Sequence, residues 1–260
     1  MTKHELTQLV CQTAKIFDAD LVAIGGAERF QGTTAMEIFP GLKSVVCIAY
    51  RVLRGSRRGI EEGSTYYQYS TTGVETIDET MMPQTLLRVS AVLEDAGYTA
   101  IPQRRHQTIT TDPTDTNPEV NYEEIYRGNQ VEKLMNFEQA AVLCGLGEMG
   151  LSGTVLSDEF GPFQRYAFIL TDAELEETPL YQRHLCDGCR ECVKACPGRA
   201  LSDSGELNRW QCAVYYNGAN GTKNPFMPPE AFDGMDDRIA IIAGEAKVTP
   251  ETAKKILDKI

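Results

Sequence analysis

Long apolar runs are missing from this sequence. Nowhere in its 260 residues do 18 apolar residues follow one another, as a membrane-crossing helix requires. Positive charge is scarce as well: Lys and Arg total 25 against 37 Asp and Glu, giving a net charge of −12. A phosphate-binding surface needs a basic stripe, so nucleic acid is not an expected partner. The densest basic segments, residues 51–58 and 104–106, are short and read as solvated loops rather than anion sites. Internal repeats and low-complexity stretches are absent, and no secretory leader is visible. With eight cysteines and no leader, the expected compartment is a reducing cytoplasm. Hydrophobic content of 42% and aromatic content of 8% are globular values, suited to one full-sized domain and a small appendage.

Half of the cysteines stand close together, in Cys186-Asp187-Gly188-Cys189-Arg190-Glu191-Cys192-Val193-Lys194-Ala195-Cys196-Pro197. The spacing C-x2-C-x2-C-x3-C-P lets three thiolates converge from one tight loop onto the irons of a 4Fe–4S cluster. The proline is expected to start a helix that carries the fourth sulfur toward where a second cluster usually sits. A disulfide framework is disfavoured, because a chain of this length buries a core without covalent staples. Zinc would suit one C-x2-C pair, but not a third cysteine at the same interval followed by proline.

The remaining sequence reads as alternating helices and strands. Residues 2–17 have a helical period, 21–26 form a short strand closed by glycines, and 41–50 form a central β-branched strand. A Gly-, Arg- and Tyr-rich stretch at 51–73 reads as mobile or ligand-facing. A long helix at 76–96 ends at Gly97, and a strand follows at 98–102. Residues 107–130 read as a surface loop, 131–144 as a helix and 164–171 as a strand. After an acidic hinge at 172–179 the cysteine run begins. The stretch 224–230, with Pro225, Pro228 and Pro229, is a stiff connector, and Thr249 caps a last helix that opens with Pro250. The expected architecture is an α/β (α+β) sandwich with a ferredoxin-like module. Its divisions are a cofactor-binding core (1–178), an iron–sulfur module (179–216) and a C-terminal extension (217–260).

Gly145-x-Gly147-x-x-Gly150 matches the dinucleotide fingerprint, but here a helix precedes the motif and Ser152, Gly153 and Thr154 follow it. A Rossmann site needs the opposite order, strand then helix. The alternative is a turn whose bare backbone approaches a large flat cofactor. The segments AAVLCGLGEMG (140–150), LSDEFGP (156–162) and ILTD (169–172), with the cysteine run at a similar distance beyond, resemble the core of epoxyqueuosine reductases and reductive dehalogenases. The resemblance extends more faintly to residues 20–25, 43–46 and 94–98.

That resemblance implies a nitroreductase-like α/β core holding a corrinoid (cobalamin) whose cobalt has no protein ligand on its lower face. It also implies clusters that feed the cobalt electrons. Gly145, Leu146, Gly147 and Gly150, with Phe160, Gly161 and Pro162, match backbone that lines the corrinoid. The sequence departs from the family in two ways. The family's second cysteine run, C-x2-C-x3-C-P, does not appear after Cys196; Cys212 alone follows. One cluster is therefore expected, held by Cys186, Cys189 and Cys192 with Cys196 or Cys212 as the fourth ligand. The aspartate that epoxyqueuosine reductases carry in the helix before the glycine turn is also missing, with none between Asp115 and Asp158.

The catalytic residue therefore stays open. Glu132 and Glu138 lie near the turn, and Tyr122, Tyr126, Tyr66, Tyr67 and Tyr69 form tyrosine-rich stretches, the last three close to Arg57 and Arg58. His106 is given no role; His184 is close enough to the run to donate to a cluster sulfur. Cys11, Cys47 and Cys144 read as core residues, with Cys144 positioned to face the pocket. Three functions compete: a corrinoid-dependent oxidoreductase acting on a small organic substrate or reactivating cobalt, a ferredoxin-like electron-transfer protein with no second cofactor, and a flavin-dependent reductase. A redox partner protein is the expected electron donor, and in the electron-transfer reading the negative charge suits steering to a basic partner. A homodimer burying the cluster edge is a compatible assembly.

Overall fold

The fold is that of a computed structural model, which describes residues 1–62, 68–104, 135–216, 218–219 and 230–259. The described residues form two compact units, one of residues 1–104 and 135–187 and one of residues 188–259.

In the first unit, Thr2 and Glu5 build a capping box that starts helix α1 (Lys3–Ile16), as the sequence implies. The strands are β1 (Leu21–Gly26), β2 (Ser44–Arg51), β3 (Ala100–Gln103), β4 (Glu148–Met149), β5 (Val155–Leu156) and β6 (Gln164–Thr171). Four of them form one sheet in the order β1-β2-β6-β3, with every pairing antiparallel. The short strands β4 and β5 make a separate ribbon. Of the other helices, α2 (Thr34–Ile38), α3 (Arg54–Glu61) and α4 (Met82–Asp95) precede β3. A π-helical segment, Tyr69–Met81, leads into α4, so the long expected helix begins earlier and changes its winding at Met82. Gly97 ends α4 with a φ of 89° and an N–H bonded to Glu94 O.

The central strands β2 and β6 are apolar on both faces because each face has its own cover. Val46, Ile48, Tyr50, Ala167 and Ile169 pack under α1 and α4 with Leu6, Val10, Leu86, Val89 and Leu93. Val45, Cys47, Ala49, Phe168 and Leu170 face the opposite layer, with Ala140, Ala141, Cys144 and Leu146. Each fully buried Val, Leu, Ile or Phe contributes roughly 1.5–3 kcal/mol, so this three-layer core holds the unit together. Continuous apolar strands are the usual mark of parallel sheets, yet this sheet is antiparallel and covered on both sides.

Three expectations change in this unit. The stretch after β2 is helical where described, and Arg58 pairs with Glu62 there; Arg51, at the end of β2, pairs with Asp20, and Arg104 with Glu79. The acidic segment 172–179 is not a hinge. Leu175 N–H donates to Ser44 Oγ, Glu176 N–H to Thr7 Oγ1 and Thr178 N–H to Ile24 O, which straps the segment to the sheet. Cys144 faces no pocket: it is buried, and its thiol donates to Val45 O at 3.5 Å.

Burial pushes the Cys144 thiol up to about 12 and the Cys47 thiol well above its ordinary value. The native chain therefore keeps Cys144 protonated where an unfolded chain ionises it, near 9.0. Above that pH the unfolded chain binds fewer protons, so stability falls as pH rises. Between pH 9 and 11, denaturant midpoints should record a loss of roughly 1.4 kcal/mol per pH unit from Cys144 alone. Cys144→Ser should flatten the slope; an unchanged slope would contradict this account.

The second unit contains α6 (Glu191–Ala195), α7 (Arg209–Tyr216), α8 (Arg238–Ile242) and α9 (Pro250–Leu257). Thr249 Oγ1 caps α9 by accepting Thr252 N–H, and Pro250 occupies its first turn, as expected. Val214 and Tyr215 of α7 share a core with Phe232, Ile241, Val248, Ala253 and Ile256. The described tail is thus packed with α7, and the expected separation at 216 has no counterpart in this core. Residues 105–134, including His106, Tyr122, Tyr126 and Glu132, lie outside the described residues, as do Tyr66, Tyr67 and the prolines at 225, 228 and 229.

Candidate iron–sulfur site and adjoining cavity

Helix α5 (Phe137–Leu143) delivers the chain to the glycine turn. Its start is capped by Asn136 Oδ1, which accepts Gln139 N–H at 3.0 Å, and Arg29 donates to Leu143 O at its end at 3.2 Å. Gly145 follows with a φ of 85°. A Cβ there would strike Pro179 O, and a Cβ on Gly147 would strike Leu156 O. Both glycines are required by the close approach of the protein's own backbone. Gly150 closes the β4–β5 ribbon through its N–H to Thr154 O at 2.9 Å, and Leu146 lies in the core. The dinucleotide reading fails in structure as in sequence, since β4, not a helix, follows the turn.

The second turn, Phe160-Gly161-Pro162, is closed by paired hydrogen bonds between Ser157 and Gly161. Beside it, Asp158 Oδ1 accepts Tyr181 OH at 2.9 Å and Arg183 Nη1 at 3.0 Å. Glu148, inside the glycine motif, takes over where Asp158 leaves off. Its carboxylate accepts Leu185 N–H at 2.5 Å and Cys186 N–H at 3.1 Å and pairs with His184 Nδ1 at 3.2 Å. Those two backbone donors, and then His184, hold the Glu148 carboxyl below the usual carboxylate value. His184 therefore directs Nδ1 to a carboxylate rather than to a sulfur. Leu151 N–H donates to Cys186 Sγ at 3.3 Å.

The rest of the run lies in the second unit. Gly188 (φ 73°) and Arg190 (φ 62°) are both left-handed, which gives the tight turning that three closely spaced cluster ligands need. Cys189 is exposed, Cys192 lies half-buried on α6, and Cys196 is the residue that ends that helix. The helix thus precedes Pro197, where the sequence reading had placed it after. Ala200 N–H donates to Cys196 Sγ at 3.2 Å. Cys212 lies half-buried on α7, its thiol pushed up by burial and by the nearness of Cys196. Among the described residues no three His, Cys, Asp or Glu side chains are gathered as a metal site. The donor set nevertheless fits a cluster, because Cys186 and Cys196 each already accept the kind of backbone N–H bond that stabilises cluster sulfurs.

A cavity of about 160 Å³ opens in the first unit, where Thr154, Val155 and Pro162 form part of its wall. Tyr166 and Glu138 also line it, with Tyr166 OH donating to Glu138 Oε1 at 3.4 Å. Arg165, another wall residue, grips buried Asp78 through two bonds, and Arg57 stacks 3.3 Å above the wall residue Phe163. Tyr69 is the only member of the expected tyrosine cluster among the described residues, and it too lines the cavity. Sequence reasoning missed Tyr166, Arg165, Glu148 and Asp158. For Tyr166 the available signal was a lone hydroxyl in an apolar strand, and for Glu148 a charge inside a glycine motif.

Known proteins resemble parts of this chain. A 4Fe-4S binding domain profile matches residues 178–201. Tetrachloroethene reductive dehalogenase of Dehalobacter restrictus is 40% identical over 83 residues, 30% of this chain and 15% of that enzyme. Epoxyqueuosine reductase of Lactococcus garvieae is 32% identical over 90 residues, 35% of this chain and 24% of that enzyme. Over these stretches the chain is similar to both the reductive dehalogenases and the epoxyqueuosine reductases. The aligned stretches span less than a quarter of either enzyme's length. A solved reductive dehalogenase, described as suggesting a mechanism for B12-dependent dehalogenation, shares the fold. Its TM-score is 0.62 at 15% identity, covering 98% of this chain and 38% of that one.

The cavity is smaller than the roughly 300–1,000 Å³ of ordinary ligand pockets, and protein backbone fills the space beside Gly145 and Gly147. Gly161, by contrast, has open space where its Cβ would lie, and Pro162 reaches the cavity. No helix among the described residues is long and apolar enough to cross a membrane.

Proposed function

We propose that this chain is an iron–sulfur oxidoreductase. A single 4Fe–4S cluster, held by Cys186, Cys189, Cys192 and one further cysteine, passes electrons to an acceptor in the α/β core. The acceptor implied by the family is a corrinoid in a nitroreductase-like core, and the final electron acceptor is a small organic substrate or the cobalt itself. A redox partner protein supplies the electrons, and the acidic chain suits a basic partner rather than nucleic acid.

The observation that carries this reading is the β4–β5 ribbon. Glu148 and Leu151, in and just after β4, contact Cys186, and Thr154 and Val155, at the start of β5, wall the cavity with its Tyr166–Glu138 pair. A bound cluster supplies one-electron reduction. The chain's own contribution is to keep Cys186 against the ribbon and to hold a proton at Tyr166 Oη, with Glu138 as its acceptor partner.

Anaerobic purification tests the proposal. The expected result is about four irons per chain, with a broad visible absorbance that bleaches on reduction. Added cobalamin should co-elute and be reduced when the cluster is. About eight irons would refute the single cluster. Cobalamin eluting apart would refute the corrinoid and leave the electron-transfer reading.

A further inference from the structure

Glu148 stands where a glycine-rich turn would be expected to present bare backbone, and its carboxylate is fully engaged. It collects the N–H groups of Leu185 and Cys186 and the His184 ring, while Leu151 N–H, three residues on, reaches Cys186 Sγ. Four interactions thus fall on three consecutive residues ending at a cysteine. Asp158 extends the cradle backward by holding Tyr181 and Arg183. Nothing in the fold of the sheet requires this arrangement, because strapping of the chain to the sheet is complete by Thr178. The backbone collisions that keep Gly145 and Gly147 free of side chains set the position of β4, and with it that of Glu148.

We propose that Glu148 is a positioning residue for the iron–sulfur cluster: it fixes the Cys186 peptide for ligation and lowers the cluster's reduction potential through its negative charge. The inference rests on the proposed reading of Cys186 as a ligand. A fixed negative charge beside the cluster opposes the arrival of an electron, so removing it favours the reduced form. With the side chain about one-fifth exposed, solvent screens this effect only in part.

The test uses the full chain, reconstituted anaerobically with iron and sulfide, as wild type, Glu148→Gln, Glu148→Ala and Glu159→Ala. The last removes the same charge from an exposed carboxylate on the neighbouring turn. Iron content, the midpoint potential from an EPR-monitored titration, and the melting of the iron-free protein are measured together. Glu148→Ala is expected to retain less than half the wild-type iron. Glu148→Gln, which keeps one acceptor oxygen but no charge, should retain most of the iron and titrate at a higher potential than both wild type and Glu159→Ala. Wild-type iron and potential in both Glu148 variants would overturn the proposal, as would an equal shift in Glu159→Ala. If Glu148→Ala melts before reconstitution, the potential of Glu148→Gln decides. A wild-type chain that takes up no iron would instead overturn the cluster reading itself, and this inference with it.

Discussion

Gly147→Ala should destabilise the first unit by roughly 3 kcal/mol or more, at the upper end of what an added methyl costs in a packed interior. The backbone dihedrals at Gly147 are not the reason, since its φ is not positive. The reason is space: the added Cβ would collide with the Leu156 carbonyl, and that oxygen belongs to β5, paired across the ribbon with Glu148. A flexible side chain could swing away, but a carbonyl in a two-residue ladder moves only by opening the ladder. For a unit of this size the cost corresponds to a fall in Tm of about 6–12 °C. Gly153→Ala is the matched control. Gly153 has a φ of 76°, but nothing lies within 4 Å of its would-be Cβ. Its substitution should cost only the left-handed strain, roughly 1–2 kcal/mol. Calorimetry on the two variants separates crowding from strain, and equal Tm values would show that the Leu156 contact does not exist in solution. Gly147→Ala should also lower iron retention, because displacing β4 carries Glu148 away from the Cys186 peptide.

The glycine motif also shows where the sequence could and could not be read. Its rejection as a dinucleotide site was legible, because helix α5 before it and Ser152, Gly153 and Thr154 after it have the wrong order. Its packing against Pro179 and Leu156 was not legible, since both partners are distant in sequence and meet only once the sheet and ribbon form. The strands β2 and β6 announced themselves by apolar, β-branched runs, and α1 and α9 by their threonine caps. The strap at 172–179 misled for a physical reason. Its acidic residues alternate with Ala173 and Leu175, whose burial is fixed by neighbours from α1, β1 and β2. Composition alone suggested a hinge. Likewise Tyr166 belongs to a strand whose apolar neighbours hide it, and only the edge-on packing of Phe137 and Tyr166 around Phe168 reveals the polar end of that layer. The cysteine run was readable because its chemistry is local: three ligands at fixed intervals require no tertiary information.

The fourth ligand does require it, and we propose Cys196 for that place. Cys196→Ala is expected to drop the iron content from about four per chain to near zero, whereas Cys212→Ala should retain close to the wild-type value. Cys196 ends α6 in an extended conformation (φ −62°, ψ 115°), four residues beyond Cys192, so its sulfur is free of the helical ladder. Its Sγ already accepts the Ala200 N–H, and a ligand thiolate needs such a donor. Cys212 is differently placed. It sits within α7, whose Gln211 side chain donates to Gly198 O and whose Val214 and Tyr215 are buried in the unit's core. Cys212 lies near Cys196, but on a helix anchored by that core. In two-cluster modules the cysteine at the position of Cys196 serves the second cluster, with the partner run supplying the first cluster's last ligand. Between Cys196 and Ile260 the sequence holds one further cysteine, Cys212, so these two are the candidates compared. Iron analysis and EPR of the two variants, with Cys189→Ala as the cluster-free reference, decide the matter. Iron lost on Cys212→Ala and kept on Cys196→Ala would overturn this assignment and make Cys212 the fourth ligand.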